Sequence, residues 1–269
     1  MTNRVLRESK DQTRWNRLGP KIIGEIEQAP DKQIVRSLHW LAGSNELLDV
    51  LSPMKGKKIL ELGCGWGRSS IFLARQGAKV TGVDIGPDLI LAAQALAKAN
   101  RVECDFQTAD IVKLPFPDGS FDAVFGVTIL HHLSQTDVDL ALAETARVLR
   151  SWGKAVFIEP VENSRTFDFI QNLVPAGKKG DPWHRPSILQ RKAWRQYTAA
   201  RDNRVMTTKE LLCGKRHFRS ARISPYGFLV RLARLVSHRE MLEKADTALF
   251  ASCPLLGYLS QTVLVEYHC

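Results

Sequence analysis

The sequence predicts an α/β protein built on a doubly wound parallel sheet, and three observations support this fold class. Short apolar runs of strand length alternate with longer segments of helical periodicity between residues 57 and 159. The stretch KKILELGCGWGRSS, residues 57–70, passes from an apolar strand through a glycine turn into a helix. A second apolar strand then ends at an acidic residue, Asp84. This alternation is typical of βαβ units, whose ligands bind at the carboxyl ends of the strands.

The predicted core elements follow one another in strict order. Strands are expected near 57–62, 79–83, 103–107, 122–127 and 154–159, and helices near 68–76, 88–100 and 136–149. Two later segments with strand-like patterns, 220–224 and 260–267, supply a sixth and a seventh strand. Together these segments predict one seven-stranded sheet.

Segments outside these strands are predicted to cover the sheet. Residues 1–50 have helical periodicity, broken around Ala29-Pro30, and about sixty residues separate the fifth and sixth strands, far more than usual in α/β units. Both segments are expected to form helical caps. The predicted division is an N-terminal helical cap at 1–50, a ligand-binding core at 51–160, a substrate-cap insertion at 161–217, and the C-terminal part of the sheet with a helical excursion at 218–269.

The glycine turn discriminates among nucleotide ligands. Gly63, Gly65 and Gly67 allow the backbone to turn sharply and to approach a ligand closely. The dinucleotide fingerprint requires glycine or alanine three residues after the second glycine, but that position is Arg68. No Gly-Lys-Ser/Thr sequence that would grip a triphosphate follows the turn either. Because Asp84 can accept hydrogen bonds from both hydroxyls of a ribose, the pattern favours a ligand with a ribose but no phosphate.

The charge distribution bears on the partners. The net charge is +10, and residues 178–240 contain sixteen Lys and Arg against four Asp and Glu. Such a segment attracts phosphates, carboxylates, nucleic acid or an anionic membrane, although a solvated face with ion pairs explains it equally well. Together with Trp183, His184, Trp194 and Tyr197 it predicts an anionic or aromatic substrate, with nucleic acid as the less favoured partner.

Composition also bears on the compartment. The five cysteines form no C-x-x-C pair, which argues against a disulfide framework or a zinc site. The N-terminus is polar, and no apolar stretch approaches membrane-spanning length. We therefore expect a cytoplasmic protein without metal and without integral membrane association, whose oligomeric state the sequence leaves open.

Five motifs in register resemble one enzyme family. They are ELGCGWG at 61–67, VDI at 83–85, ADI at 109–111, LPFPDGSFDAV at 114–124, and LHHL at 130–133 followed by ARVLRSWGK at 146–154. Over roughly residues 50–160 they resemble the class I S-adenosylmethionine-dependent methyltransferases, and most closely the type 11 group. The resemblance implies a Rossmann-like sheet whose last strand is antiparallel. Two departures are Trp66 within the glycine turn and Ser151-Trp152-Gly153 in place of the usual Pro-Gly-Gly turn before strand five.

The resemblance also implies a cofactor, S-adenosylmethionine, and the residues that hold it. The methionine portion would contact Glu61 and the backbone of Gly63, Gly65 and Gly67, with Glu61 complementing the ammonium group. Asp84 would bind the ribose, Ile85 and Ile111 would lie beside the adenine, Asp110 would accept from its amino group, and the Val127 carbonyl would accept from the ammonium. A role of Asp110 as merely a helix cap before a turn is the alternative.

Four residues are candidates for acting on the substrate. His131 and His132 follow the fourth strand, where open α/β sheets bind ligands, and a neutral imidazole there could accept a proton from a hydroxyl. His131 is the preferred base, and packing or helix capping by both histidines is the alternative. Glu159, at the end of strand five, is a second candidate base or substrate anchor, and His184 is a third. Catalysis by proximity alone stays open.

The favoured function is methyl transfer to a small molecule of a biosynthetic or natural-product type, with oxygen as the favoured acceptor. RNA methylation is an alternative that the basic segment supports, but the Asn/Asp-Pro-Pro-aromatic motif of base-amino methyltransferases is absent after strand four. A non-catalytic cofactor-binding partner subunit is a second alternative. NAD-dependent oxidoreduction is disfavoured by Arg68.

Overall fold

The computed structural model describes residues 17–36, 38, 44–162, 165–175, 185–199, 206–229 and 239–269. Its helices are α1 (Leu18–Gln28), α2 (Ser44–Leu51), α3 (Arg68–Arg75), α4 (Pro87–Asn100), α5 (Gln135–Val148), α6 (Arg165–Asn172), α7 (Arg191–Ala199), α8 (Thr208–Leu211) and α9 (Arg239–Ser252). Its strands are β1 (Lys58–Leu62), β2 (Lys79–Asp84), β3 (Asp105–Thr108), β4 (Phe121–Val127), β5 (Leu149–Pro160), β6 (Ser220–Tyr226) and β7 (Thr262–His268). Short 3₁₀ helices lie at Pro30–Gln33, Leu130–His132, Leu212–Arg216 and Pro254–Leu259.

The strands form one seven-stranded sheet in the order β3-β2-β1-β4-β5-β7-β6. Strands β1 to β5 are parallel, and β7 lies antiparallel between β5 and β6. The order reverses between β1 and β4, which is the point where open α/β sheets form their ligand crevice. The predicted doubly wound, seven-stranded fold is confirmed.

The central strands are buried on both faces, as their nearly continuous apolar sequences require. Leu60, Leu62 and Phe157 point to one face, where they pack with residues of α5. Ile59 and Phe125 point to the opposite face and pack with residues of α2 and α3. Alternate side chains of each strand therefore hold a helical layer on either side of the sheet.

Strand β5 begins earlier than the sequence predicts. The predicted turn at 151–153 lies inside β5, because the pairing with β4 shifts register between Phe121, opposite Leu149, and Ala123, opposite Lys154. The extra residues form an irregular stretch that an ion pair between Arg150 and Asp122 ties to β4. The prediction of a strand start at 154 was wrong because a bulge continues the ladder where a free turn was expected.

The N-terminal helical segment is fastened to α4 by a buried amide. Asn100, only 2% exposed, accepts from Val35 N at 2.7 Å and donates to Gln33 O at 3.1 Å. Arg75 of α3 donates to Val35 O at 3.1 Å. These bonds fix the chain on the outer side of α3 and α4, the two helices that follow β1 and β2.

Several expectations fall on residues that are not described, among them the N-terminal residues 1–16, Trp183 and His184. No helix in the described ranges combines the length and apolar character needed to cross a membrane. Within the same ranges, no three His, Cys, Asp or Glu side chains come together in a way that could hold a metal ion.

Candidate active site

The glycine turn after β1 has the left-handed backbone that its sequence predicts. Gly63, Gly65 and Gly67 have φ values of 67°, 52° and 80°. A Cβ on Gly63 would collide with the Ile129 side chain, and one on Gly67 would lie 2.7 Å from Phe106. A Cβ on Gly65 would meet nothing within 4 Å. Gly65 therefore borders open space, which is what a turn that admits a ligand needs.

Asp84, at the end of β2, closes this turn from the other side. Its Oδ2 accepts from Gly65 N and its Oδ1 from Gly86 N, both at 2.9 Å. Burial raises the pKa of Asp84, and the two backbone hydrogen bonds and nearby His132 act in the opposite direction. A carboxylate oxygen can accept two hydrogen bonds, so each oxygen can take one more, for example from a ribose hydroxyl.

Glu61 is the acid that precedes the glycine turn, and it is nearly inaccessible, with 3% of its surface exposed. Its Oε2 accepts from the Ser70 hydroxyl at 2.5 Å. Burial raises the pKa of Glu61 to about 8, with a smaller contribution from the Asp84 charge. A cation bound beside this carboxyl would favour its ionised form.

Asp110 follows β3, and its side chain caps the turn that begins there. Its Oδ1 accepts from Val112 N at 3.1 Å. The other carboxylate oxygen accepts no hydrogen bond within the part of the chain that the structure describes, so capping leaves it available to a ligand. Ile85 is half-buried, whereas Ile111 is 6% exposed and packs in the core against the sheet.

Glu159 organises the segment after β4. The residue is fully buried, and its Oε1 accepts from Ile129 N at 2.9 Å and Leu130 N at 2.8 Å. Its Oε2 lies 2.9 Å from Nδ1 of His131 and 3.4 Å from the His131 backbone nitrogen. When Nδ1 carries the proton, the carboxylate holds the imidazole so that Nε2 is the acceptor nitrogen.

His131 and His132 lie side by side in the 3₁₀ turn. Their ring centroids are 4.0 Å apart, and His131 is only 6% exposed whereas His132 is half-buried. His132 is close enough to Asp84 to lower its pKa. The turn after β4 therefore brings both histidines to the same edge of the sheet as the glycine turn.

Thr128 is a backbone outlier at the candidate site that the sequence does not reveal. It has φ of 52°, although it is β-branched, and it follows the predicted cofactor residue Val127. Its backbone nitrogen donates to Ile158 O at 2.7 Å. Such a conformation is strained and is maintained only where neighbouring bonds enforce it, most often at functional sites. No sequence signal reports it, because threonine has no preference for this region.

Comparisons with known proteins agree with this geometry. Residues 59–153 match a family model described as a methyltransferase domain. A demethylmenaquinone methyltransferase of Tropheryma whipplei is 32% identical over 145 residues, which cover 52% of this chain and 57% of that protein. The O-methyltransferase cnsE of Penicillium expansum is 37% identical over 116 residues, covering 42% and 41% of the two chains. The chain thus spans about half the length of the curated relatives it matches.

The fold also resembles that of a solved methyltransferase. A crystal structure of an S-adenosylmethionine-dependent methyltransferase from Mesorhizobium loti matches with a TM-score of 0.58 at 20% identity, covering 87% of this chain and all of the other. The match of residues 59–153 to a methyltransferase-domain model and this likeness of fold both agree with the resemblance to class I S-adenosylmethionine-dependent methyltransferases that the sequence motifs show.

The described residues fit S-adenosylmethionine, the cofactor that the sequence motifs imply. The open space beside Gly65 can admit the ligand close to the protein backbone. Each carboxylate oxygen of Asp84 accepts one backbone hydrogen bond and can accept a second one from the ligand. Glu61 supplies a buried carboxyl with a raised pKa that a ligand ammonium group would ionise.

Proposed function

We propose that the protein transfers a methyl group from S-adenosylmethionine to a hydroxyl oxygen of a small molecule. The observation that carries this proposal is the buried pair of Glu159 and His131, 2.9 Å apart, next to the glycine turn and Asp84. The whole chain would act as an enzyme in the cytoplasm, with the N-terminal segment and the insertion covering the acceptor.

The positions of the site residues support the cofactor-binding roles that the resemblance implies. Asp84 would bind the ribose hydroxyls through its remaining acceptor positions, and Glu61 would bind the ammonium as a carboxylate. Asp110 would accept from the adenine amino group through the oxygen that does not cap the turn. Ile85 and the backbone at Ile111 would border the adenine, and the Val127 carbonyl would face the ammonium.

S-adenosylmethionine supplies an activated methyl group for in-line displacement, so the protein itself has to position the acceptor, exclude water and remove a proton. His131 would accept the acceptor's hydroxyl proton at Nε2. Glu159 would hold the ring through Nδ1 and stabilise the imidazolium that results. All of the hydrogen bonds of Glu159 are directed at the 129–131 turn, so we assign it a positioning role. His132 is the alternative base.

Names of relatives support this class of acceptor. The relative from Penicillium expansum is an O-methyltransferase, and that from Tropheryma whipplei acts on demethylmenaquinone. The first name specifies oxygen as the acceptor atom, and the second specifies a small molecule, a quinone, as the acceptor. The acceptor screen should therefore contain phenols, quinols and hydroxy acids.

The test is turnover with this panel by the wild type, His131→Gln and Glu159→Gln. Removal of a general base should lower kcat about a hundredfold or more while leaving S-adenosylhomocysteine affinity unchanged. For a phenol acceptor, the deficit of His131→Gln should shrink as the pH approaches the pKa of the phenol, because an ionised acceptor needs no base.

A surface histidine provides the matched control. His217 also has a carboxylate partner, Asp139, at 3.1 Å, but it lies outside the site, so His217→Gln should retain full turnover. Equal activity of His131→Gln and wild type would refute the assignment of His131 as the general base. Cofactor binding without turnover on any acceptor would favour the non-catalytic subunit.

A further inference from the structure

Three large apolar side chains of the insertion are exposed close together. Phe169 and Ile170 of α6 are 53% and 51% exposed, and Leu189 is 72% exposed. Leu189 lies beside the end of α6, because Ile188 N donates to Asn172 O at 2.8 Å. These three residues, which we name the apolar tip, lie in a part of the chain that leaves the sheet at the carboxyl end of β5.

A cationic helix adjoins the apolar tip. Helix α7 begins two residues after Leu189 and has the sequence RKAWRQYTA, which contains three cations and no acid. Arg191, Lys192 and Arg195 are all exposed, and they lie on one face because their positions cover about 100° of the helix. None of the three forms an ion pair with a residue in the described ranges. Exposed aliphatic groups next to an uncompensated cationic face are the composition of an interfacial membrane-binding surface.

We propose that the apolar tip and the cationic face of α7 dock the protein on an anionic lipid surface. The cations would lie at the headgroup level, and Phe169, Ile170 and Leu189 would enter the boundary of the acyl region. The proposal goes beyond the proposed function, because it concerns where the protein works and not how it transfers a methyl group.

The same observations disfavour single-stranded nucleic acid as the occupant. Bases bind by stacking on flat side chains with open faces, and Phe169 is the one aromatic side chain of the apolar tip, whereas Ile170 and Leu189 offer no such face. The two aromatic rings of α7, Trp194 and Tyr197, stack on each other at a centroid distance of 5.6 Å, and both are half-buried. Charge alone would attract RNA, but it does not account for the exposed Ile170 and Leu189, which an apolar medium would bury.

The test is co-sedimentation of the full chain with vesicles of phosphatidylcholine, with and without about a quarter of phosphatidylglycerol. The wild type should bind the anionic vesicles, and added salt should weaken the binding. The triple variant R191Q/K192Q/R195Q should bind on the order of a hundredfold more weakly, since each juxtamembrane cation contributes roughly tenfold or less. Leu189→Ser should weaken binding without changing its salt dependence.

Matched controls separate a local surface from bulk charge. The triple variant K55Q/K79Q/K98Q removes the same charge from three exposed lysines elsewhere, and Leu140→Ser removes a 44% exposed leucine of α5. Both should bind vesicles as the wild type does. Equal losses in the two triple variants would overturn the proposal.

Two other outcomes would also overturn it. One is equal binding to neutral and anionic vesicles, and the other is binding of a single-stranded RNA oligonucleotide with no vesicle binding. S-adenosylhomocysteine affinity, measured on every variant, should not change, so failure of vesicle docking leaves the proposed function intact.

Discussion

Because folded Glu61 holds its proton more tightly than the unfolded chain does, the stability of this protein should fall as the pH rises from 5 to 8. Burial raises the pKa of Glu61 from 4.5 to about 8 in the folded state. Between these values the folded protein holds a proton that the unfolded chain has released. Stability therefore decreases as the pH rises, and the contribution of Glu61 is most favourable near or below pH 4.5.

The magnitude is large enough to measure. A pKa that rises from 4.5 to about 8 corresponds to about 5 kcal/mol in total, of which about 3.5 kcal/mol is lost between pH 5 and pH 8. The slope is at most about 1.4 kcal/mol per pH unit, the value for one proton. Glu61→Gln keeps the size of the side chain and a group that accepts from Ser70, but it cannot ionise.

The assay is the free energy of unfolding in urea at pH 5, 6, 7 and 8, for the wild type and Glu61→Gln. Other titrating groups contribute equally to both proteins, so the difference between them isolates Glu61. We expect Glu61→Gln to gain stability relative to the wild type as the pH rises. Glu103→Gln, which removes an exposed carboxyl, should show no such trend. A difference between wild type and Glu61→Gln that stays constant with pH would refute the reasoning.

Three further predictions concern backbone conformation at the site and a buried hydrogen bond outside it. Gly65→Ala should cost only about 1–2 kcal/mol of folding free energy, because the left-handed φ of Gly65 is the sole obstacle to a Cβ there. The same variant should lower the affinity for S-adenosylhomocysteine more than tenfold in calorimetry. Unchanged affinity would exclude the space beside Gly65 as the ligand site. Thr128→Gly should raise the unfolding free energy by about 1 kcal/mol, and a loss of stability in urea would show that the positive φ is not strained. Asn100→Ala should lower the free energy of unfolding by about 2–3 kcal/mol, because Val35 N loses its buried acceptor. Asn45→Ala, at an exposed position, is the control and should be nearly neutral.

The fold could be predicted from the sequence because its signals are local. Each parallel strand is a short apolar run, each helix has a regular period, and the glycines at 63, 65 and 67 mark the turn directly. The exception is the start of β5, where Ser151-Trp152-Gly153 resembles a turn. That stretch stays in the ladder because Asp122, far away in sequence, pairs with Arg150.

The site could be predicted only as a set of residues. Asp84 and the glycine turn follow from their spacing, but the contact between Glu159 and His131 joins residues 28 positions apart. Its geometry depends on the bulge, on the strained Thr128 and on the packing of Ile129 against Gly63. None of these long-range contacts leaves a pattern in a single sequence.

The most direct test of the cofactor assignment is calorimetric titration of S-adenosylhomocysteine into the wild type and Asp84→Asn, with NAD as the control ligand. Asparagine keeps one acceptor oxygen but loses the charge and the second acceptor, so the ribose contact should weaken. The assignment predicts binding to the wild type, at least tenfold weaker binding to Asp84→Asn, and no binding of NAD. Equal affinity of the two proteins for S-adenosylhomocysteine, or binding of NAD in its place, would contradict it.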